Sequence, residues 1–234
     1  MSVYKNLPVL DLRKMSVEEA RQIEKITNVA ALLLPDDGDP ELRSAIAAIP
    51  KKNVACVVPV PSQVPSVVHN GIYIGTKEDL SKDQILIVNG AGVISDCPAE
   101  SRARFIVNGM MVRKKGTDLN ILEINGLNVF FDFENVVTQL EGLEVDRDLL
   151  EFSENKTLFL SVDEMKISED VSKELLLEKQ PYFVSVAEIR CAKEISAYVR
   201  LHAQTMAGVE IFSGDENEDD WSHKGRFRTV SGGL

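Results

Sequence analysis

The chain contains few of the residues from which metal and nucleophilic sites are usually built. It has three cysteines, three histidines and one tryptophan among 234 residues. Cys56, Cys97 and Cys191 are widely spaced, unlike the cysteines of a disulfide framework or a Cys-x-x-Cys zinc site, so we expect reduced and mostly buried thiols. The histidines are equally scattered: His69, His202 and His223. We therefore expect neither a metal nor another cofactor.

Long apolar runs and an excess of basic charge are also lacking. The first residues, MSVYKNLPVLDLRK, have no basic segment followed by an apolar one, and no later stretch reaches the roughly 18 apolar residues of a membrane helix. We expect a cytoplasmic protein with no membrane partner. The formal net charge of -11, from 37 acidic and 26 basic residues, disfavours nucleic acid as a partner, because such binding depends on Lys and Arg.

Common catalytic motifs are missing as well. The sequence contains no G-x-G-x-x-G, no G-x-x-x-x-G-K-[ST] and no G-x-S-x-G. Cys97 has no basic neighbour in the sequence to lower its pKa, so a nucleophilic role is not favoured. Asp36, Asp37 and Asp39 could bind a hard cation such as Ca²⁺. They lack the spacing of an EF-hand loop, so a solvated turn with a helix cap is favoured.

A phrase built around Asn-Gly recurs four times: "VVHNGIYIG", "LIVNGAGVI", "FIVNGMMVR" and "LEINGLNVF". The pairs are Asn70-Gly71, Asn89-Gly90, Asn108-Gly109 and Asn125-Gly126, at intervals of 19, 19 and 17 residues. A period this steady indicates a structural repeat. Because Asn and Gly tolerate positive φ, each unit is predicted to be two short strands that meet at a bend. In a stack, the asparagines would hydrogen-bond to one another.

The residues that flank each pair predict which side chains face the core. The third residue before Asn and the fourth after it, such as Phe105 and Val112, are apolar in all four units. The residue just before Asn and the second residue after it are nearly as consistent, whereas the columns between the consistent ones vary, and Met111 lies in a variable column. Alternation with a period of two predicts that constant columns face inward and variable columns outward. His69 falls in an inward column, where we expect a hydrogen-bonded histidine rather than a ligand.

Two architectures use Asn-Gly bends in this way. In a chain of β-hairpins each pair forms a tight turn, whereas in a solenoid each pair is a corner of a coil stacked on the previous one. The segments "NVAALLLP" and "NVACVVPVP" look like the same strand without Gly. The helix between them is predicted from Asp39, with Pro40 in its first turn, to Pro50. Since strand, helix and strand make a crossover between parallel strands, the solenoid is favoured.

The rest of the chain fits the same scheme. A strand "VLDLRK" precedes a helix with a capping box formed by Ser16 and Glu19. Residues 134–156 are predicted to be helical or irregular, and a helix capped by Ser168 follows. "TLFLSV", "PYFVSVAEI", "ISAYVRLHA" and "GVEIF" are predicted strands. We therefore predict a mostly β fold with interspersed α-helices, a right-handed parallel β-solenoid that forms a single domain of residues 1–213.

The I-x-V-N-G units resemble those of uncharacterised bacterial β-solenoid proteins, which are built partly like leucine-rich repeats and partly like the right-handed β-helix of bactofilins. The Asn-Gly motif itself covers residues 67–130. The spacing of the repeated units is similar over roughly residues 8–212. The full L-x-x-L-x-L-x-x-N pattern of leucine-rich repeats is absent, and bactofilin cores lack capped helices. The resemblance implies a coiled parallel β fold and no particular activity.

The composition changes after Ser213. The acidic run "GDENEDD" is followed by "WSHKGRFRTVSGGL", which carries three fixed positive charges. Residues 214–234 are predicted to be a flexible tail, acidic and then basic, with two interpretations: a segment kept for solubility, or a peptide that docks on a partner. The candidate docking residues are Trp221, Arg226, Phe227 and Arg228.

A regular repeat without a catalytic cluster is typical of a scaffold. We therefore predict a non-enzymatic structural or protein-interaction protein whose partner is another protein. Two alternatives remain open: a solenoid enzyme acting on a polysaccharide, and a bactofilin-like protein that self-assembles as a homo-oligomer through its solenoid ends or edges.

Overall fold

The computed structural model describes residues 2–37 and 39–212, and this part of the chain is mostly β. It contains fifteen strands and six α-helices in two compact units, divided between Phe131 and Asp132. The strand pairs are parallel in all four sheets. No helix among the described residues has the length and apolar character needed to cross a membrane. A mostly β fold with helices and parallel strands is thus confirmed, while the single-domain boundary stays a prediction.

The first unit contains seven strands and three helices. They are β1 (Ser2–Asp11), α1 (Val17–Arg21), β2 (Ile23–Pro35), α2 (Pro40–Ala48), β3 (Lys51–Val60), β4 (Ser66–Ile74), α3 (Lys77–Ser81), β5 (Ile85–Ile94), β6 (Arg104–Lys114) and β7 (Asn120–Phe131). The first sheet has the order β1-β2-β3, and the second sheet has the order β4-β5-β6-β7.

Short helices connect the strands of the first sheet where the capping signals predicted them. The Ser16 hydroxyl accepts from the Glu19 amide, and the Glu19 carboxylate accepts from the Ser16 amide, which completes the capping box. Asp39 caps α2 by accepting from the Glu41 amide at 2.8 Å, and Pro40 is the first residue of that helix. Both helix starts are confirmed. Apolar residues of α1 and α2 then bury one face of the first sheet, among them Ala20, Leu42 and Ile46.

The four Asn-Gly units are the four strands of the second sheet. Each is one continuous strand rather than the two short strands predicted. Asn70 pairs with Asn89, Asn89 with Asn108 and Asn108 with Asn125, all in parallel register. Parallel stacking of the units is confirmed. The hairpin interpretation is wrong, because the residues on either side of each Asn-Gly pair belong to the same strand and therefore cannot pair with each other.

An irregular register between β6 and β7 shifts one predicted column. Phe105 pairs with Ile121, while Ile106 pairs with Glu123. Leu122 is therefore an extra residue in β7, as in a β-bulge, and does not continue the column of Phe105. Beyond the bulge the Asn and Gly columns remain aligned.

Both faces of β5 and β6, the central strands of the second sheet, are covered, which corrects the prediction that the variable columns face outward. Met111 from a variable column and Val112 from a constant one are both 0% exposed. One face packs on the first sheet, through Ile85, Ile87 and Ile106 against Ala31, Leu33, Cys56 and Val58. The other face packs on Leu80 of α3 and on connecting segments, through Leu86, Val88 and Phe105. A parallel strand covered on both sides has no solvent face to alternate with.

The two sheets of the first unit are offset by one strand. Strand β2 lies against β6, and β3 lies against β7. The core between the sheets also takes in Val9 of β1 and Leu122 of β7, whereas among the described residues β4 adds none to it. The three strands of the first sheet therefore face β5, β6 and β7. Strand β4 extends beyond them.

A buried arginine fastens the connection that leads to β4. Arg13 Nη1 donates to the carbonyl oxygens of Pro61 and Val64 at 2.9 and 2.7 Å, and Nη2 donates to Ser66 Oγ at 3.2 Å. Arg13 Nη2 also forms a 2.7 Å ion pair with Asp11. Burial would raise the pKa of the Asp11 carboxyl, but the hydrogen bonds from Arg13 outweigh it and hold that pKa below its ordinary value. These contacts anchor the start of β4 at the end of β1.

The second unit repeats two strands and a helix. Its elements are β8 (Asn135–Gln139), β9 (Leu143–Val145), α4 (Arg147–Phe152), β10 (Thr157–Ser161), β11 (Met165–Ile167), α5 (Lys173–Lys179), β12 (Tyr182–Ser185), β13 (Glu188–Cys191), α6 (Ser196–His202), β14 (Ala203–Thr205) and β15 (Gly208–Ile211). The third sheet has the order β14-β12-β10-β8, and the fourth has the order β15-β13-β11-β9. Phe159 and Phe183 stack in the core with ring centroids 6.0 Å apart, beside Leu150 and Leu176 of the helices.

Three local predictions for this unit were wrong. Residues 134–156 contain β8, β9 and α4 rather than only helix or irregular chain. Helix α5 is capped by Ser172, whose hydroxyl accepts from the Leu175 amide, while the Ser168 hydroxyl donates to Glu144. The predicted strand "ISAYVRLHA" is mainly α6. Its buried residues are Ile195, Tyr198 and Val199, and this spacing of three and four is helical.

Candidate interaction edge

Asparagine side chains form a directional ladder through the bends of the second sheet. Asn89 Nδ2 donates to Asn70 Oδ1 at 3.0 Å, and Asn108 Nδ2 donates to Asn89 Oδ1 at 2.8 Å. Asn125 continues the column by register. Each amide donates to the preceding strand, so the β4 end of the ladder carries a donor, Asn70 Nδ2. Among the described residues no side-chain hydrogen bond joins Asn125 to Asn108, whose Oδ1 accepts instead from Cys56 Sγ at 3.7 Å, so the hydrogen-bonded ladder ends at Asn108.

Glycine is required beside this ladder because the strands approach closely. A Cβ on Gly109 would lie 2.1 Å from the carbonyl oxygen of Gly90. A Cβ on Gly126 would clash in the same way with the carbonyl oxygen of Gly109. Each glycine carbonyl therefore occupies the space of a side chain on the following strand. Only glycine fits at this position of the next strand.

The first sheet has a similar ladder, and the sequence motif revealed only part of it. Asn28 Nδ2 donates to Asn6 Oδ1 at 2.9 Å, and Asn53 Nδ2 donates to Asn28 Oδ1 at 3.0 Å. Their φ angles are 55°, 55° and 52°, in the left-handed region that asparagine tolerates. Asn6 was missed because Leu and Pro follow it, instead of the Val-Ala that follows the other two.

Strand β4 exposes apolar side chains whose partners in β5 are buried. The aligned pairs are Val67 with Leu86, Val68 with Ile87 and Ile74 with Val93. The exposed fractions are 39%, 40% and 49% on β4, against 1%, 0% and 0% on β5. The cause is the offset of the sheets, which leaves β4 without a strand opposite. We call Val67, Val68, Asn70 and Ile74, with the outer backbone of this strand, the β4 edge.

The β4 edge also lacks the residues that usually protect an edge strand. Natural edges are blocked by charged side chains, particularly Lys, and by Pro. The sequence of β4, SVVHNGIYI, contains none of these, whereas β1 has Lys5 and Pro8 and β3 has Lys51 and Pro59. Within the described residues only β5 pairs with β4. The strand is therefore open to addition of another strand.

His69 lies on β4 in an aromatic contact. Its ring centroid is 4.3 Å from that of Tyr73, and the Tyr73 ring is 6.5 Å from that of Phe105. Burial raises the pKa of the Tyr73 hydroxyl well above its ordinary value. This arrangement packs the inner face of the strand.

The aspartates near α2 are used in local hydrogen bonds. Asp37 accepts from the amide and the hydroxyl of Ser62, and Asp39 caps α2 as described above. In the part of the chain that the structure describes, no three His, Cys, Asp or Glu side chains are grouped as metal ligands. The predicted helix cap is confirmed for Asp39.

The cysteines have environments that favour the thiol over the thiolate. Cys56 and Cys191 are buried, and burial raises the pKa of each to about 11. Cys97 is half-buried, its Sγ donates to the carbonyl of Asp118 at 3.1 Å, and burial raises its pKa too. Arg200 acts to lower the pKa of Cys191, but burial outweighs it, so none of these environments activates a thiol as a nucleophile.

The predicted docking residues of the tail, Trp221, Arg226, Phe227 and Arg228, lie outside the described residues. The flexible tail of residues 214–234 likewise stays a prediction. No protein family, curated protein or solved structure matches the chain. The β4 edge, which sequence reasoning did not single out, is the candidate site. Its only signal in the sequence is the absence of charge and proline from "SVVHNGIYI".

Proposed function

We propose that the protein is a non-enzymatic β-solenoid scaffold that binds a partner protein by adding an extended strand to the β4 edge. The observation that carries this proposal is the exposure of three apolar side chains on a strand that lacks charge and proline. On an edge strand whose outer backbone is open to pairing, such exposed apolar side chains mark a site of interaction.

The parallel register supports the solenoid part of the proposal. Successive strands of the second sheet step forward by 19 residues from Asn70 to Asn89 and again from Asn89 to Asn108. The strand and helix connections of the first sheet are crossovers between parallel strands. Such crossovers are right-handed in nearly all proteins, so we propose a right-handed coil.

Strand addition is the binding mode that fits this edge. The incoming backbone would hydrogen-bond to the outer amides and carbonyls of β4, and its alternating side chains would cover Val67 on one face and Val68 on the other. Affinity would come mainly from the backbone hydrogen bonds. Specificity would come from the apolar contacts and from Asn70.

A photoreactive amino acid placed on the edge tests the proposal in the native cell. With the crosslinker at position 68, which is 40% exposed in the natural protein, we expect protein adducts at high yield after irradiation. The matched control carries the same crosslinker at Leu201, which is 79% exposed on α6. Adduct yields at position 68 no higher than at position 201 would contradict the proposal, because general exposure alone would then explain them.

A further inference from the structure

We infer that the strand that occupies the β4 edge is β7 of a second copy of this chain, so that copies join head to tail. The inference rests on the proposed function, because it names the partner of the same edge. It is carried by the shared parallel register of the four Asn-Gly strands and by the glycine column.

The two ends of the second sheet carry asparagines of the same column. Asn70 Nδ2 is the donor at the β4 end of the ladder, and Asn125, which is aligned with Asn108, offers a side-chain amide at the β7 end. Asn125 and Gly126 are both exposed, so the bend of β7 is accessible. Stacking β4 of one copy on β7 of another would let Asn70 Nδ2 donate to Asn125 Oδ1, a bond of the kind that joins Asn89 to Asn70.

The glycine column makes β7 selective for such a strand. Within the sheet, the carbonyl oxygen of each glycine fills the space of a Cβ on the next strand, as Gly90 does for Gly109 at 2.1 Å. A strand that docks on β7 in the same register and with the same positive-φ bend must therefore carry glycine opposite Gly126. Strand β4 does, since Gly71 follows Asn70 and has a φ of 90°. A strand with this bend and any other residue at that position would meet the Gly126 carbonyl with its Cβ.

The apolar columns continue across the same contact. In this register Val67 of one copy would lie beside Ile121 of the other, and Ile74 would lie beside Val129. These positions correspond to the internal pair of Phe105 with Ile121 and the internal pair of Val112 with Val129. The contact would cover the side chains of β4 that are now 39–49% exposed.

A symmetric pairing of two β4 strands fits the asparagine side chains less well. It would bring together two ladder ends that both present donors, and it would leave the β7 end unused. A head-to-tail contact uses different surfaces on the two copies, so each added copy offers a new edge and the assembly grows in one direction.

Two edge-blocking variants test the inference by complementation. Val68→Lys places a charge on the β4 edge, and Asn125→Lys places a charge at the exposed bend of β7. Both positions are exposed, so both variants are expected to fold. By sedimentation analysis, the full-length natural protein should increase in mass with concentration. Each variant alone should remain monomeric, and an equimolar mixture should double in mass and stop there, because it contains one intact edge of each kind.

Leu201→Lys, at an exposed apolar position on α6 of the second unit, should assemble like the natural protein. A natural protein that stays monomeric at hundreds of micromolar would overturn the head-to-tail inference. Adducts of position 68 with a different protein would in that case still support the proposed function. Self-association of Asn125→Lys alone would also overturn it, since only a symmetric β4 contact could then operate.

Discussion

Gly109→Ala is expected to destabilise the protein by about 3 kcal/mol or more, since a clash and backbone strain act together. The added methyl group would lie 2.1 Å from the carbonyl oxygen of Gly90, and the φ of 131° at this position is one that alanine rarely adopts. The strand cannot move away without breaking the ladder bond from Asn108 to Asn89. Urea or thermal unfolding followed by circular dichroism measures the loss, which corresponds to a melting temperature lower by roughly 10 °C.

Gly116→Ala is the matched control. Gly116 also has a positive φ, 90°, but no atom lies within 4 Å of the position of its Cβ. Its substitution should therefore cost only the backbone strain, about 1–2 kcal/mol. Equal losses in the two variants would contradict the close approach of the strands at the Asn-Gly bends.

Met111→Asp is expected to be equally or more damaging, at about 4 kcal/mol or more, because it places a carboxyl group in a dry core. Met111 is 0% exposed and fills the space left by Gly92, where a Cβ would lie 3.0 Å from the methionine Cε. Val112→Asp should cost a similar amount, since Val112 is also 0% exposed. The measurement is again equilibrium unfolding.

Phe152→Asp provides the control for this pair. Phe152 is 90% exposed on α4, so replacing it with aspartate should change stability by less than about 0.5 kcal/mol. If Met111→Asp were as mild as Phe152→Asp while Val112→Asp was severe, the second sheet would have one solvent face, as the variable columns first suggested.

The parallel register could be predicted from the sequence because it depends on a local signal. Asn-Gly pairs at a steady period define both the bend and the alignment of strands, and capped helices between similar segments require crossovers. The burial of both faces could not be obtained from alternation, since Met111 and Val112 are neighbours that are both covered. The runs "LIV" and "FIV" carried the better signal, because continuous apolar residues are typical of parallel strands buried on both sides.

The β4 edge could not be predicted from the sequence because it depends on which strands face each other. Val68 and Ile87 occupy the same column and are both β-branched, yet their exposed fractions are 40% and 0%. The difference arises from the offset of two sheets and from the connection fastened by Arg13, neither of which has a local pattern. Similarly, α6 was mistaken for a strand because Tyr198 and Val199 have high β-propensity, and packing against the core overrides that preference.

Amide hydrogen exchange at two protein concentrations tests the use of the β4 edge most directly. The outer amides of β4 in residues 66–74 and of β7 in residues 120–130 should exchange fast in dilute protein and slowly in concentrated protein. Those of β5 and β6, which are already paired on both sides, should not change. Exchange in β4 and β7 that is independent of concentration would contradict strand addition between copies.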